Sequence, residues 1–250
     1  MDIVIIGSGN VAFHLAQALK KAQQNLIQIF GRNTEKLSYI SEKLNISFSD
    51  SELKKADLYI ICVSDSVIGE VSKQIPFENC LVVHTSGSLP KEILDGNYRK
   101  GSWYPLQTFS ANKELNYSEI PFFVETDHAT DQKILLDLAR SISQKVEIST
   151  FEKRKYIHLT AVFACNFVNH LYARAKEIAD SQNLPFEYFM PLIEETTEKI
   201  KHLDPKKAQT GPAVRNDRRV LELHKEIIQE PEQLKIYNTM NESIKKMYEL

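Results

Sequence analysis

Cysteine is scarce: the 250 residues hold three, Cys62, Cys80 and Cys165. They are widely separated and match no metal-ligand spacing, which argues against a disulfide framework or a zinc site and fits a reducing compartment. Long apolar runs are missing too. No stretch approaches the ~18 residues needed to span a bilayer. The run Ile3–Ile6 is too short for the apolar core of a signal peptide. Neither sign of charge dominates, with a formal net charge of −2 and a pI near 6.4, so nothing suggests nucleic acid as a partner. No Gly/Ser-rich or Pro-rich linker, internal repeat or low-complexity tract interrupts the chain. These exclusions leave an ordinary globular composition, 42% hydrophobic and 26% charged, expected in the cytoplasm and ample for one large domain or two modest ones.

The first sixteen residues organise the rest. Asp2-Ile3-Val4-Ile5-Ile6 is a short β-branched run, and Gly7-Ser8-Gly9-Asn10-Val11-Ala12 follows as G-x-G-x-x-A before a segment of helical spacing. Strand, glycine turn and helix in that order predict a dinucleotide site. Gly7 permits the turn, Gly9 admits a pyrophosphate, and small Ala12 lets helix pack on strand. The helix N-terminus, at Ser8 to Val11, offers free N–H groups to the phosphates.

A second strand is expected at 26–30. An NAD-selective site usually places an acid at its end; here the chain reads Gly31-Arg32-Asn33-Thr34, with Lys36 a turn later. The Arg32 fork, with donors from Asn33, Thr34 and Lys36, predicts NADP, against the plainer alternative of solvated loop charges. A weak strand at 46–48 and a short polar helix at 50–55 are expected next. Residues 58–63 form a continuous apolar run, as in a strand buried on both faces. The backbones of Val63 and Ser64 should lie beside the cofactor, with Asp65 or Ser66 capping the next helix. Strands are expected at 80–84, 103–108, 122–125 and 146–148, and a helix at 131–143. After Thr150 only helices are expected, the first over 152–181. The fold class is therefore α/β, a dinucleotide-binding domain over 1–150 followed by an all-helical domain over 151–250.

Three groups could carry chemistry. His84 stands at a strand's carboxyl end, followed by Ser86, Gly87 and Ser88, whose hydroxyls and N–H groups suit an anion or carbonyl; a capped turn with an exposed histidine is the alternative. On the long helix, 100° per residue places His158, Val162, Cys165 and Asn169 in one stripe with Asn166 at its edge. Among apolar neighbours such as Leu159, Phe163 and Phe167, this helix should be buried on several sides, its polar residues either satisfied in the core or part of a site. Third, Arg215 should sit near a helix start, against the dipole, which suits an anionic ligand or a pairing with Asp217.

Gly7-Ser8-Gly9-Asn10-Val11-Ala12, His84-Thr85-Ser86-Gly87-Ser88, Tyr104-Pro105-Leu106-Gln107-Thr108-Phe109, Lys153-Arg154-Lys155-Tyr156-Ile157-His158, Ala164-Cys165-Asn166-Phe167 and Thr210-Gly211-Pro212-Ala213-Val214-Arg215-Asn216-Asp217 span almost the whole chain. Together they resemble a bacterial family with a Rossmann-like domain and a helical C-terminal domain of unknown function, related to pyrroline-5-carboxylate reductases and to β-hydroxyacid and ketopantoate dehydrogenases. The resemblance implies an NADP-dependent oxidoreductase, dimeric through its helical domain. It also implies a substrate-carboxylate role for Thr210, Gly211, Pro212 and Arg215. Two positions depart from the relatives. Tyr104 stands where they tend to have a histidine. The β-hydroxyacid and ketopantoate enzymes use a Lys four residues before an Asn, and four before Asn166 is Val162. Histidine titrates near neutrality, so His158 becomes the candidate proton donor, with His84 its rival. Two functions follow: an NADP oxidoreductase acting on a small polar substrate, with a carboxylate expected, or a non-catalytic NADP-binding sensor or partner-binding protein derived from a reductase.

Overall fold

The computed structural model describes residues 1–111 and 113–250. The apolar runs become eight strands: β1 (Ile3–Ile6), β2 (Leu26–Phe30), β3 (Phe48–Ser49), β4 (Leu58–Ile61), β5 (Leu81–His84), β6 (Arg99–Pro105), β7 (Phe122–Thr126) and β8 (Val146–Ile148). They form one sheet in the order β3-β2-β1-β4-β5-β6-β7-β8. Neighbours are parallel apart from the antiparallel β6–β7 pair. The strand order reverses at β1, so a crevice opens beyond the carboxyl ends of β1 and β4, where ligands of such sheets bind. Helices α1 (Asn10–Lys21), α2 (Thr34–Leu44), α3 (Ile68–Ser72) and α4 (Ala129–Arg140) accompany the sheet. The expected α/β class, Rossmann-like first and helical afterwards, is the class found.

Because side chains alternate across a strand, the central strands feed two cores. Ile3, Ile5, Leu58, Ile60, Leu81 and Val83 belong to one cluster, with Ala12 and Leu15 of α1 and Leu135 of α4. Val4, Ile6, Tyr59, Ile61 and Val82 belong to the other, with Ile68 of α3. Burial on both faces explains why these strands read as unbroken apolar runs. Trp103, the single tryptophan, is fully buried; its Nε1 donates to the Leu135 carbonyl at 3.2 Å and its ring meets Phe122 at 4.7 Å.

One expected element is absent. Residues 50–55 form no helix. Buried Gln28 on β2 donates to the Glu52 carbonyl and accepts from the Lys54 N–H, while Ser49 Oγ accepts from Ser51 and Glu52. Those side chains satisfy backbone groups that a helix would otherwise have paired.

The contacts divide the chain into Met1–Ala164 and Cys165–Leu250. Helix α5 (Phe151–Ala161), capped by Thr150 accepting from the Lys153 N–H, belongs to the first; a π turn follows at Val162–Phe167. The second unit holds α6 (Val168–Ser181), α7 (Met190–Lys199), α8 (Pro205–Ala208), α9 (Arg218–Ile227) and α10 (Pro231–Met247). The expectation of a long helix buried on several sides is overturned: Leu159, Phe163 and Phe167 are 49%, 63% and 49% exposed. Helical spacing shows which residues share a face, not whether anything covers it. Throughout the second unit, only Ala179, Ala213 and Leu221 are buried.

Candidate functional site

The dinucleotide loop is built as its glycines require. Gly7 has φ +137°, and a Cβ there would stand 2.2 Å from the Cys62 carbonyl oxygen, so the first turn closes directly on the end of β4. Gly9 is the opposite case: a Cβ would meet nothing within 4 Å, leaving open space before α1. The first turn of α1 has no acidic residue and no side-chain cap, and its first helical bond runs from the Phe13 N–H to the Gly9 carbonyl. The N–H groups of Asn10, Val11 and Ala12 therefore have no helical acceptor and suit a phosphate. The Asn10 side chain is otherwise engaged, donating to the Phe109 carbonyl at 3.0 Å. Buried His14, one turn on, bonds the Ser110 carbonyl at 2.8 Å and the Tyr117 hydroxyl at 2.9 Å. These contacts latch the segment after β6 to the first turns of α1.

At the end of β2, Arg32 and Lys36 are exposed, and among the described residues neither has a carboxylate partner. Asn33 caps α2, its Oδ1 accepting from the Lys36 N–H at 2.9 Å, and the Thr34 hydroxyl donates to Asp50 at 3.2 Å. Two of the four anticipated donors are thus committed to the loop's own structure. Val63 and Ser64 follow the end of β4, and Ser64 is exposed.

Asp65 does not cap the helix that follows it. Its carboxylate accepts from the Ser86 hydroxyl at 2.8 Å, and Ser86 Oγ accepts in turn from the Ser88 and Leu89 N–H groups at 3.1 and 3.2 Å. That hydroxyl holds the loop's own backbone, while Ser88 is exposed. His84 is fully buried, and its Nδ1 accepts from the Ser86 N–H at 3.1 Å. Burial, with the Arg154 guanidinium adding to it, lowers its pKa to about 4, so the ring is neutral near pH 7. This geometry suits a framework residue.

The loop presents Gly87 to a second histidine. A Cβ on Gly87 would lie 2.7 Å from Tyr104 Cζ and 2.8 Å from His158 Nδ1. Tyr104, near the carboxyl end of β6, bonds His158 Nδ1 through its hydroxyl at 3.0 Å. Behind the pair stands Arg154, fully buried one helical turn before His158. Its guanidinium pairs with Glu125 of β7 and donates to the Leu89 carbonyl at 2.7 Å, tying α5 to the sheet and to the loop after β5. Sequence reasoning missed Arg154, because within Lys153-Arg154-Lys155 it looks like one more solvated charge. Its spacing of four from His158 was the available signal.

Asn166 lies in the π turn, exposed. A π turn holds more residues than an α turn, so the stripe counted from His158 to Cys165 and Asn169 at 3.6 residues per turn loses its phase there. In the second unit, the 210–215 segment leads into α9. Gly211 has φ +111°, as a tight turn requires. Asp217 caps α9 by accepting from the Val220 N–H at 3.2 Å. Arg215 precedes that cap, exposed, and among the described residues has no ion-pair partner, Asp217 included.

Residues 120–244 match a family described as a domain of unknown function, DUF2520, and residues 2–86 match one described as NADP oxidoreductase, coenzyme F420-dependent. None of the curated proteins matches. Among solved structures, a Bacteroides fragilis protein provisionally named an NADP oxidoreductase is 37% identical, with a TM-score of 0.93 over 100% of this chain and 98% of its own. A Thermotoga maritima protein is 24% identical, TM-score 0.84, covering 99% of this chain and 100% of its own. The 1-pyrroline-5-carboxylate reductase of Streptococcus pyogenes shares the fold at 15% identity and TM-score 0.65, covering 100% and 99%.

Proposed function

Because the chain belongs to the DUF2520 family, with an NADP-oxidoreductase-type domain in front, we propose that it is an NADP-dependent reductase or dehydrogenase of a small, polar, carboxylate-bearing substrate. NADP is the cofactor. Bound NADPH would supply the hydride; the chain supplies the cradle, the phosphate contacts and the proton. The carrying observation is the opening beside Gly9, which leaves the unpaired N–H groups at the start of α1 accessible. Gly7 to Val11 hold the pyrophosphate, Arg32 and Lys36 the additional phosphate, and the backbones of Val63 and Ser64 flank the cofactor. His158 gives the proton, with Tyr104 beside it. On the second unit, Arg215, exposed and with no ion-pair partner among the described residues, suits an anion such as a carboxylate.

NADP should bind more tightly than NAD. A charge-assisted contact contributes about 1.5–3 kcal/mol, so Arg32→Ala should weaken NADP by about 10–100-fold and leave NAD nearly unaffected. Calorimetric titration of both cofactors is the measurement. Equal loss for the two, or no loss for NADP, removes the selectivity reading.

A homodimer through residues 165–250 belongs to the same reading. Only Ala179, Ala213 and Leu221 are buried in this unit, so its helices keep apolar surface for a second copy to cover. An apolar groove of about 230 Å³ between α6 and α10, lined by Leu171, Ile178, Ile236 and Met240, is open to a second copy. Sedimentation at micromolar concentration should give twice the 28.7 kDa chain mass, and a monomer alone would refute the dimer.

A further inference from the structure

Tyr104 is 7% exposed, and among the described residues its hydroxyl has one partner, His158 Nδ1 at 3.0 Å. Either group can donate in this bond, depending on the ring tautomer; where the phenol donates, Nδ1 accepts. Neutral His158 then carries its single ring proton on Nε2. Gly87 supplies the space in which the two rings meet. Phe123, opposite Tyr104 in the β6–β7 ladder, stacks on the phenol at 6.3 Å.

We propose that Tyr104 and His158 form one proton relay, in which Tyr104 resupplies the histidine as its Nε2 proton leaves. The proposal rests on the reading of His158 as proton donor. As the substrate carbon accepts hydride, the C=O or C=N π pair moves onto the heteroatom and takes the Nε2 proton. Nδ1 takes the phenolic proton, and Tyr104 is left as phenolate. Solvent then protonates Nε2, and the Nδ1 proton returns to Tyr104. Charge and protons balance over the cycle.

The groups around the pair set how readily the phenol ionises. Burial raises Tyr104 to about 12; the Asp65 carboxylate, from the turn after β4, adds to the rise and the Arg154 guanidinium opposes it. His84, neutral at the end of β5, contributes no charge near pH 7. Tyr104 acts through His158, so it is a positioning residue and proton reservoir.

The test is ¹⁵N-histidine NMR on the full chain without ligand. Wild-type His158 should resonate as the Nε2–H tautomer. Tyr104→Phe should shift it to a mixture of tautomers, with the unfolding midpoint as a control for folding. Gly87→Ala, which forces the rings apart while both remain, should do the same. A wild-type Nδ1–H form, or a spectrum unmoved in both variants, overturns the relay. The kinetic arm uses NADPH with whichever 2-keto acid or cyclic imine turns over. The relay keeps kcat flat from about pH 6 to 9, whereas a donor that must be an imidazolium loses kcat as the pH rises. Tyr104→Phe should convert the first profile to the second, with kcat at about pH 8 down ~10–100-fold and KM unchanged. A wild-type profile already falling through neutrality overturns the relay. If His158→Ala leaves kcat intact, the donor reading fails on its own, whatever the tautomer of His158.

Discussion

His158→Ala is expected to lower kcat by about 10²–10⁴-fold while leaving NADP affinity unchanged, since general acid catalysis typically contributes that much. Reduction of a carbonyl or imine needs a proton at the heteroatom, so a side-chain donor has to supply it. Of the two candidate histidines, His84 is the poorer donor. It is fully buried, and its Nδ1 is occupied by the Ser86 N–H. His158 is partly exposed and held by a side chain, Tyr104, rather than by a core carbonyl. The measurement follows a screen of 2-keto acids, β-hydroxyacids and cyclic imines with NADP(H), then steady-state kinetics beside cofactor titration. A kcat loss below tenfold would mean that the proton enters elsewhere. Lost cofactor affinity would mean that the residue serves binding.

The second large effect concerns stability. Arg154→Met should cost about 3–5 kcal/mol, because removing one member of a buried pair strands the other's charge. The Glu125 carboxylate is largely buried, and its other oxygen already accepts from the Phe151 N–H at 3.0 Å. The Leu89 carbonyl would lose its guanidinium donor as well. Urea unfolding is the measurement, with Arg154→Met/Glu125→Gln as companion. The double variant should recover part of the loss, because the stranded charge is gone. A single-variant cost below about 1 kcal/mol would show that α5 is held to the sheet by other contacts.

What could be read from the chain follows from the range of the interactions involved. The strands and the turn at Gly7 were legible because β-branched runs ending in glycine are local signals. The α/β class and the order of elements followed from them. The 50–55 segment was misread because the residue that organises it, Gln28, sits on another strand. The Asp65–Ser86 contact is equally remote, joining positions 21 apart that become neighbours only when β4 pairs with β5. Arg154 was hidden by its charged neighbours. The π turn broke a periodicity that had been counted as uniform. Helical spacing after residue 151 foretold the helices, but it carries no information on what covers their apolar faces.

Trp103 gives the protein a built-in optical probe of narrow scope. As the sole indole, sealed between Phe122 and the backbone of α4, it emits from a dry site. Its fluorescence therefore follows the melting of residues 1–164, whereas residues 165–250 hold no tryptophan. Far-ultraviolet circular dichroism registers the helices of both. Where the two signals part company, the gap between them measures the independent unfolding of the helical unit.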